Sequence, residues 1–127
     1  MDLKNYFENT KGVGVLSTAD SEGNVDSAIY ARPHVMEDGT IALIMRDRLS
    51  HHNLQSNPRA AYLFLEEGSG YKGKRLFLTK THEEQDEEKI SLLRRRTYPD
   101  DERIHSEAKF LVHFRVDKEL PLIGSGE

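Results

Sequence analysis

The sequence predicts a mainly β fold with a few helices, in which six antiparallel strands form a small barrel. Two observations predict it. Short apolar or alternating runs recur along the sequence, separated by turns of only a few residues. Turns this short can connect only neighbouring antiparallel strands. Only short stretches with helical spacing interrupt these runs. The length of 127 residues suits one hydrophobic core, so we expect residues 1–127 to form a single domain.

The first half of the chain is expected to hold one helix and three strands. The helix covers Leu3 to Asn9, and Gly12 ends it. The segment VGVLSTADSEGNVDSAIYARPHVMEDGTIALIMR then gives three strands, separated by turns at residues 20–24 and 37–39. If the third strand continues through Arg48, the period of two places Ile44, Arg46 and Arg48 on one face.

The second half adds two helices and three strands. Ser50 is a good N-cap for a short helix over residues 51–56, and Asn57-Pro58 returns the chain to an extended form. The strands are AAYLFLEE, GKRLFLTKTHE and KFLVHFRVDKEL. Between the last two, EEQDEEKISLLRRRTYP predicts a helix with acids in its first turns and the arginines 94–96 in its last.

Composition excludes several classes of function. The 22 acidic and 18 basic side chains give a formal charge of -4, so the overall field repels nucleic acid and anionic membranes. The absence of cysteine excludes disulfides and thiolate metal sites. No apolar run approaches the roughly 20 residues of a membrane helix, and MDLKNYFENTKG lacks the apolar core of a signal peptide. We therefore expect a cytoplasmic protein without nucleic-acid or membrane partners.

The stretch RDRLSHHNLQSNP at residues 46–58 predicts a site for a small anion. Two guanidinium groups, from Arg46 and Arg48, lie next to the Ser50 hydroxyl and the N-terminus of a helix. A phosphate monoester is bound by many such convergent donors. The alternative is a solvated face at the end of a strand.

The histidines do not predict a metal site. Adjacent side chains such as His51 and His52 point in different directions on a helix or a strand, so they cannot easily bind one ion. His82, His105 and His113 show no metal-ligand spacing. We therefore expect no bound metal.

The order of these pieces resembles the pyridoxamine 5′-phosphate oxidase-like family of FMN-binding split-barrel proteins. The pieces are GVGVLSTADSEGNVDSAIY, YARPHVMEDGTIALIM, LSHHNLQSNPRAAYLFLEE and YKGKRLFLTKTHEE. The most specific part is a polar turn, then an N-L pair, then N-P-R-A before an apolar strand. The resemblance implies a six-stranded split barrel and a homodimer with FMN in clefts at the subunit interface.

The resemblance also implies roles for individual residues. The run expected along the isoalloxazine ring and ribityl chain is Tyr30, Ala31, Arg32 and Pro33. The group expected around the phosphate is Ile44, Met45, Arg46, Arg48, Ser50 and His51, with Ser50 where the family usually has a lysine. The further expected contacts are Asn53, which fixes the turn or meets the cofactor, and Lys74 and Arg75, which approach the flavin from the partner subunit.

Each of these roles has a simpler structural alternative. Tyr30 and Pro33 would be ordinary barrel residues, because an aromatic side chain in a strand is first of all part of a core or an interface. Arg32 would pair with a carboxylate. Lys74 and Arg75 would be solvated.

The function implied by the resemblance is that of an FMN-dependent oxidoreductase acting on an unidentified small substrate. Vitamin B6 oxidation is not expected, because the sequence ends at ELPLIGSGE, where the true oxidases carry a basic extension. The alternatives are a non-enzymatic FMN-binding or electron-transfer module, or a haem- or deazaflavin-binding relative. The sequence shows no catalytic triad, and His34 and Tyr71 are the candidate proton donors.

Overall fold

A computed structural model describes residues 2–68, 70–97 and 110–124 of the chain. Within these ranges the elements are α1 (Leu3–Asn9), β1 (Gly12–Ala19), β2 (Val25–Tyr30), β3 (His34–Val35), β4 (Ile41–Met45), α2 (Leu49–Ser56), β5 (Arg59–Glu66), β6 (Gly73–Glu84), α3 (Glu87–Thr97) and β7 (Phe110–Pro121). The strands form one antiparallel sheet in the order β2-β1-β5-β6-β7-β4-β3. The sheet curls until residues from one edge, β2, and from the other end, β3 and β4, line a common cavity, which is the opening of a split barrel.

The described part of the sheet has seven strands rather than the six predicted. The additional strand, β3, is two residues long and pairs with β4. The prediction was wrong because it let the second strand run past Pro33. Proline cannot donate to a ladder, so β2 ends at Tyr30 and the chain crosses the opening before it pairs again.

Alternating residues of the strands form the core. The largest fully buried side chains include Tyr62, Phe64 and Phe114. Helix α1 covers one end of this core, where the Phe7 ring packs edge-on against Phe64 with the ring centroids 5.3 Å apart. Burial of each such aromatic side chain stabilises the fold by about 1.5–3 kcal/mol. None of the described helices is long and apolar enough to cross a membrane.

The two longest strands, β6 and β7, bend around the barrel. Their pairing shifts register between Phe77 and Leu78 and again between Lys80 and His82. Such bulges curve a strand and increase its twist. The bend lets a twelve-residue strand follow the barrel wall and still reach the start of α3.

Helix α3 begins later than predicted. Glu83 and Glu84 are the last residues of β6, and the helix starts at Glu87. Ile90 is buried against the sheet and packs with Leu111 of β7. The predicted arginine run at residues 94–96 lies outside the described side chains, and residue 105 lies outside the described residues.

Candidate functional site

A cavity of about 490 Å³ occupies the opening of the barrel. This volume falls within the range of small-molecule sites. Its walls come from β2, the segment that crosses to β3, strand β4 and the turn into α2. The predicted site residues that line it are Tyr30, Ala31, Arg32, Ile44, Arg46, Arg48 and Ser50.

Sequence reasoning missed several residues of the cavity wall. These are Asp26, Ala28, Ile29, Leu43 and Leu49, and His34, which had been considered only as a proton donor. The period of two along β2 could have predicted Asp26 and Ala28, because they lie on the same face of the strand as Tyr30. His34 reaches the cavity because the chain crosses the opening at residues 31–33, just before β3, and no local pattern indicates that crossing.

A tight turn, not a strand, brings the two arginines to the cavity. The predicted extension of the strand through Arg48 is wrong, because β4 ends at Met45. The backbone N–H of Arg48 donates to the carbonyl of Arg46 at 2.9 Å, which closes a three-residue turn. Arg46 is half-buried and Arg48 is exposed, and both line the cavity.

Helix α2 begins at this turn. Its N-cap is Arg48, so the predicted N-cap, Ser50, is wrong. The Arg48 side chain makes no capping hydrogen bond to this described helix, so the first N–H groups of α2 keep their positive partial charge. Ser50, only 4% exposed, points its hydroxyl inward and donates to Asp26 Oδ2 at 3.4 Å.

Tyr30 is a half-buried residue of the cavity wall. Burial raises the pKa of its phenol and the Asp26 carboxylate adds to the rise, although the Ser50 hydrogen bond and the Arg46 charge act in the opposite direction. The phenol therefore keeps its proton at neutral pH and serves as a hydrogen-bond donor.

The cavity wall carries a local excess of positive charge. It contains the guanidinium groups of Arg32, Arg46 and Arg48 against the carboxylate of Asp26, in a chain of net charge -4. One nitrogen of Arg32, Nη1, also donates to the carbonyls of Phe7 and Thr10, at 2.9 and 3.0 Å. Arg32 thus binds the C-terminal end of α1 rather than a carboxylate, and the anion-binding character of the wall rests mainly on the other two arginines.

Tyr62 fixes the backbone of the segment that crosses the opening. Its hydroxyl donates to the carbonyl of Ala31 at 2.9 Å. The ring lies directly over Gly14 of β1, where a Cβ would overlap the Tyr62 hydroxyl. Glycine is therefore required at this position for Tyr62 to reach Ala31.

Three of the predicted cofactor contacts lie outside this cavity, close to the core. Met45 is fully buried in the core. Asn53 is buried and donates to Thr18 Oγ1 at 3.1 Å, which fixes α2 to β1. Pro33 borders a neighbouring cavity of about 480 Å³ beside α1.

Lys74 and Arg75 lie on β6, also away from the cavity. The Lys74 ammonium pairs with Glu119 at 2.8 Å and lies 4.7 Å from the centre of the Tyr6 ring. Arg75 Nε donates to the carbonyl of Pro121 at 2.9 Å. Their predicted approach to the flavin of a partner subunit stays a prediction.

His51 supports the arginine turn from behind and does not line the cavity. Its ring is buried and stacks on Phe110, with the ring centroids 3.8 Å apart. Nδ1 lies 3.1 Å from Asp47 Oδ1, within the turn, and Nε2 lies 2.9 Å from Glu83 Oε2 on β6. The imidazole thus ties the turn that carries Arg46 and Arg48 to the sheet.

Glu83 is the centre of this supporting network. Its Oε1 accepts from Lys80 Nζ at 2.6 Å and from Gln55 Nε2 at 3.0 Å. Burial alone would raise the pKa of this carboxyl, but the hydrogen bonds from Lys80, His51 and Gln55 outweigh it and lower the pKa to about 2. Glu83 is therefore ionised throughout the neutral range and binds α2 electrostatically.

No protein-family model and no curated protein matches the sequence. Solved structures match the fold. An FMN-binding protein from Syntrophomonas wolfei subsp. wolfei aligns with a TM-score of 0.78 at 18% identity, over 96% of this chain and 84% of its own. A candidate pyridoxamine 5′-phosphate oxidase from Lactobacillus delbrueckii aligns with a TM-score of 0.64 at 16% identity, over 93% and 89%.

The chain has the pyridoxamine 5′-phosphate oxidase-like split-barrel fold. This agrees with the resemblance seen in the sequence. The same split barrel also occurs in HutZ, the haem storage protein from Vibrio cholerae, which aligns with a TM-score of 0.68 at 14% identity, over 94% of each chain. At these identities the likeness establishes the fold and leaves the ligand to be argued from the cavity.

Proposed function

We propose that this chain is an FMN-binding flavoprotein that acts as an oxidoreductase on a small substrate. The observation that carries the proposal is that the guanidinium groups of Arg46 and Arg48 meet the N-terminus of α2 in the wall of the cavity. Guanidinium groups and the first N–H groups of a helix are the donors that a phosphate dianion requires. The likeness of the fold to an FMN-binding protein supports the same ligand.

The remainder of the wall suits a flavin ring. Its apolar surface comes from Ala28, Ile29, Leu43, Ile44 and Leu49. An aromatic ring system packs against such side chains, while a few polar groups fix its orientation. The Asp26 carboxylate opposes an anionic group, but the arginines outnumber it.

The protein's part in the reaction is to bind, orient and shield the flavin. FMN, when bound, supplies the transfer of a hydride or of electrons at its N5. Tyr30 offers a protonated phenol, and the Ala31 carbonyl is held by Tyr62. These groups would hydrogen-bond the polar edge of the ring and set its position relative to a substrate.

The proposal includes a homodimer that completes the site. Val13, Ile29, Leu63 and Leu65 are 49%, 76%, 39% and 36% exposed, and they lie on the outer face of neighbouring strands β2, β1 and β5. A contiguous apolar strip of this kind marks an interaction surface. Because Ile29 belongs both to the strip and to the cavity wall, a second copy packed on the strip would close the cavity from outside.

Haem is the second candidate ligand. His34 lines the cavity, and an imidazole is a common axial ligand of haem iron. The arginines would then pair with the haem propionates. The fold of the haem storage protein HutZ supports this alternative.

Ligand binding by the purified protein tests these proposals. We expect apo protein to bind FMN tightly and to acquire flavin absorption bands, with riboflavin, haemin and a deazaflavin binding much more weakly. A Soret band on purification, or tight binding of haemin that is lost in His34→Ala, would favour haem. Failure to bind any flavin would refute the main proposal.

The redox proposal requires a separate measurement. Under anaerobic conditions we expect NADH or NADPH to bleach the flavin of the FMN-loaded protein, and an acceptor to restore its colour. Reduction by dithionite alone would favour a non-enzymatic FMN-binding or electron-transfer module.

A further inference from the structure

A second group of titratable side chains lies on β6 and β7, apart from the residues that line the cavity. We call His82, Glu84 and His113 the His–Glu–His cluster. The sequence shows no ligand spacing among them, yet one ligand atom from each lies within 4.8 Å of the others. Within the described ranges, residues 2–68, 70–97 and 110–124, these are the metal-ligand side chains that come together in this way.

The pairing of the two strands explains why they meet. His82 and His113 are direct partners across the ladder. Glu84 lies two residues beyond His82 and therefore on the same face of β6. The two imidazole rings stack with their centroids 4.2 Å apart and their planes 7° from parallel. The sheet thus presents two imidazoles and a carboxylate side by side.

Hydrogen bonds orient the first imidazole for binding. The Thr81 hydroxyl lies 3.3 Å from the backbone carbonyl of His113 and 3.1 Å from His82 Nδ1. Because a carbonyl only accepts, the hydroxyl proton goes to it, and the hydroxyl oxygen accepts from His82 Nδ1–H. The lone pair of His82 is then on Nε2. An outer hydrogen bond that fixes the tautomer in this way is typical of histidine ligands.

The second imidazole already forms a hydrogen bond with the carboxylate. His113 Nε2 lies 2.5 Å from Glu84 Oε2, and the same oxygen accepts from Lys89 Nζ at 3.1 Å. A cation can take the place of the proton in that hydrogen bond, and the proton is released to solvent; with the imidazole proton on Nδ1, Nε2 and the carboxylate oxygen both direct lone pairs at the cation. Lys89 is the competitor, and its side chain is 43% exposed, so it can swing into solvent.

We propose that His82, Glu84 and His113 form a binding site for a divalent transition-metal ion such as zinc. Two imidazoles and one carboxylate are a donor set that zinc accepts, whereas magnesium and calcium prefer oxygen ligands alone. Around zinc these atoms would lie about 3.3 Å apart. The His82 side chain is exposed, so a small rotation of its ring can close the remaining distance, while His113 is buried. Three protein ligands leave one position for water or a fourth ligand.

Metal binding by the full chain tests the proposal. Metal-free protein without a polyhistidine tag is titrated with Zn²⁺ by calorimetry, with Mg²⁺ as the comparison ion. We expect one zinc per chain and no binding of magnesium at the same concentration. His82→Ala and Glu84→Gln should weaken zinc binding by at least ~10-fold. Lys89→Met should strengthen it by about 3-fold, because the competing ammonium is removed.

His52→Ala is the matched control, since His52 is an exposed histidine on α2, away from the cluster. It should bind zinc as the wild type does. His82 is exposed and Glu84 is partly exposed, so both variants are expected to keep the native circular dichroism spectrum. The proposal is wrong if the wild type binds no zinc, or if His82→Ala and Glu84→Gln bind it as tightly as the control. The FMN content, measured from absorbance in the same samples, reports separately on the cavity.

Discussion

Replacement of Arg46 and Arg48 by alanine should weaken the binding of FMN much more than that of riboflavin. The two ligands share the ring and the ribityl chain, and only FMN carries a phosphate. Both arginines line the cavity beside the N-terminus of α2. If they bind the phosphate, their loss leaves the ring contacts intact and removes only the charge-assisted hydrogen bonds.

The size of the effect follows from the exposure of the two side chains. A hydrogen bond to a charged group contributes about 1.5–3 kcal/mol, and an exposed ion pair about 0.2–1 kcal/mol. Arg46 is half-buried and Arg48 is exposed, so we assign about 2 kcal/mol to the first and about 1 kcal/mol to the second. Their sum of about 3 kcal/mol corresponds to a roughly 100-fold increase in the Kd of FMN. The Kd of riboflavin should change by less than about 3-fold.

Quenching of flavin fluorescence on titration with apo protein measures both constants. The matched control is Arg59→Ala with Arg115→Ala, which removes the same charge from exposed positions outside the cavity. It should leave both constants near those of the wild type. An equal loss of affinity for FMN and riboflavin would refute the assignment, because the arginines would then act on the ring or on folding.

Three further predictions concern stability and assembly. Burial raises the pKa of Glu83, but its hydrogen bonds outweigh burial and lower the pKa to about 2, below the ordinary 4.5. The ionised carboxylate therefore stabilises the fold above pH 4.5, and this contribution is lost as the pH falls toward 2. The shift corresponds to about 3 kcal/mol, which screening at a side chain 23% exposed reduces to about 1–2 kcal/mol. Glu83→Gln should therefore lower the free energy of unfolding in urea by that amount at pH 7, and a difference that persists at pH 2 would contradict this. Gly14→Ala should cost about 1–3 kcal/mol in the same assay, because its Cβ overlaps the Tyr62 hydroxyl, and an unchanged stability would mean that the ring moves freely. Leu63→Asp should convert the proposed dimer to a monomer in sedimentation experiments. The control Leu92→Asp should not, because the Leu92 side chain is 61% exposed on α3, away from the apolar strip. A monomeric wild type would contradict the dimer.

Local chemistry predicted much of the fold. Helix α1 covers the predicted Leu3–Asn9, and both predicted turns connect antiparallel strands. In the first of them the Asp20 carboxylate accepts from the backbone of Glu22 and Asn24, a pattern that aspartate favours in turns. The errors arose where contacts with residues distant in the sequence determine the secondary structure. Two acidic residues predicted as the start of a helix, Glu83 and Glu84, instead end β6, where their carboxylates bond to His51 of α2 and to His113 of the neighbouring strand β7.

The candidate site was predicted less completely. Arg46 and Arg48 do line the cavity, but a turn closed by a backbone hydrogen bond places them there rather than the alternation of a strand. His34 and the His–Glu–His cluster depend on strand pairing and on the crossing of the opening. Neither leaves a local pattern, because residues 31 apart in the sequence, His82 and His113, become neighbours only through the register of β6 and β7.

Ser50 stands where the resembling family usually has a lysine, and the structure explains how the cavity accommodates the difference. The Ser50 hydroxyl is buried and donates a hydrogen bond to Asp26. It also lies next to the Tyr30 phenol. A lysine ammonium in this place would lie against the same carboxylate and form an ion pair with Asp26. Much of its charge would then be neutralised and would not act on a phosphate. The serine therefore lowers the positive charge available to an anion by less than a full unit. If the cavity binds FMN as proposed, Arg46 and Arg48 are its principal cationic contacts with the phosphate, and the contrast between FMN and riboflavin in their double variant measures nearly all of the charge contribution to phosphate binding.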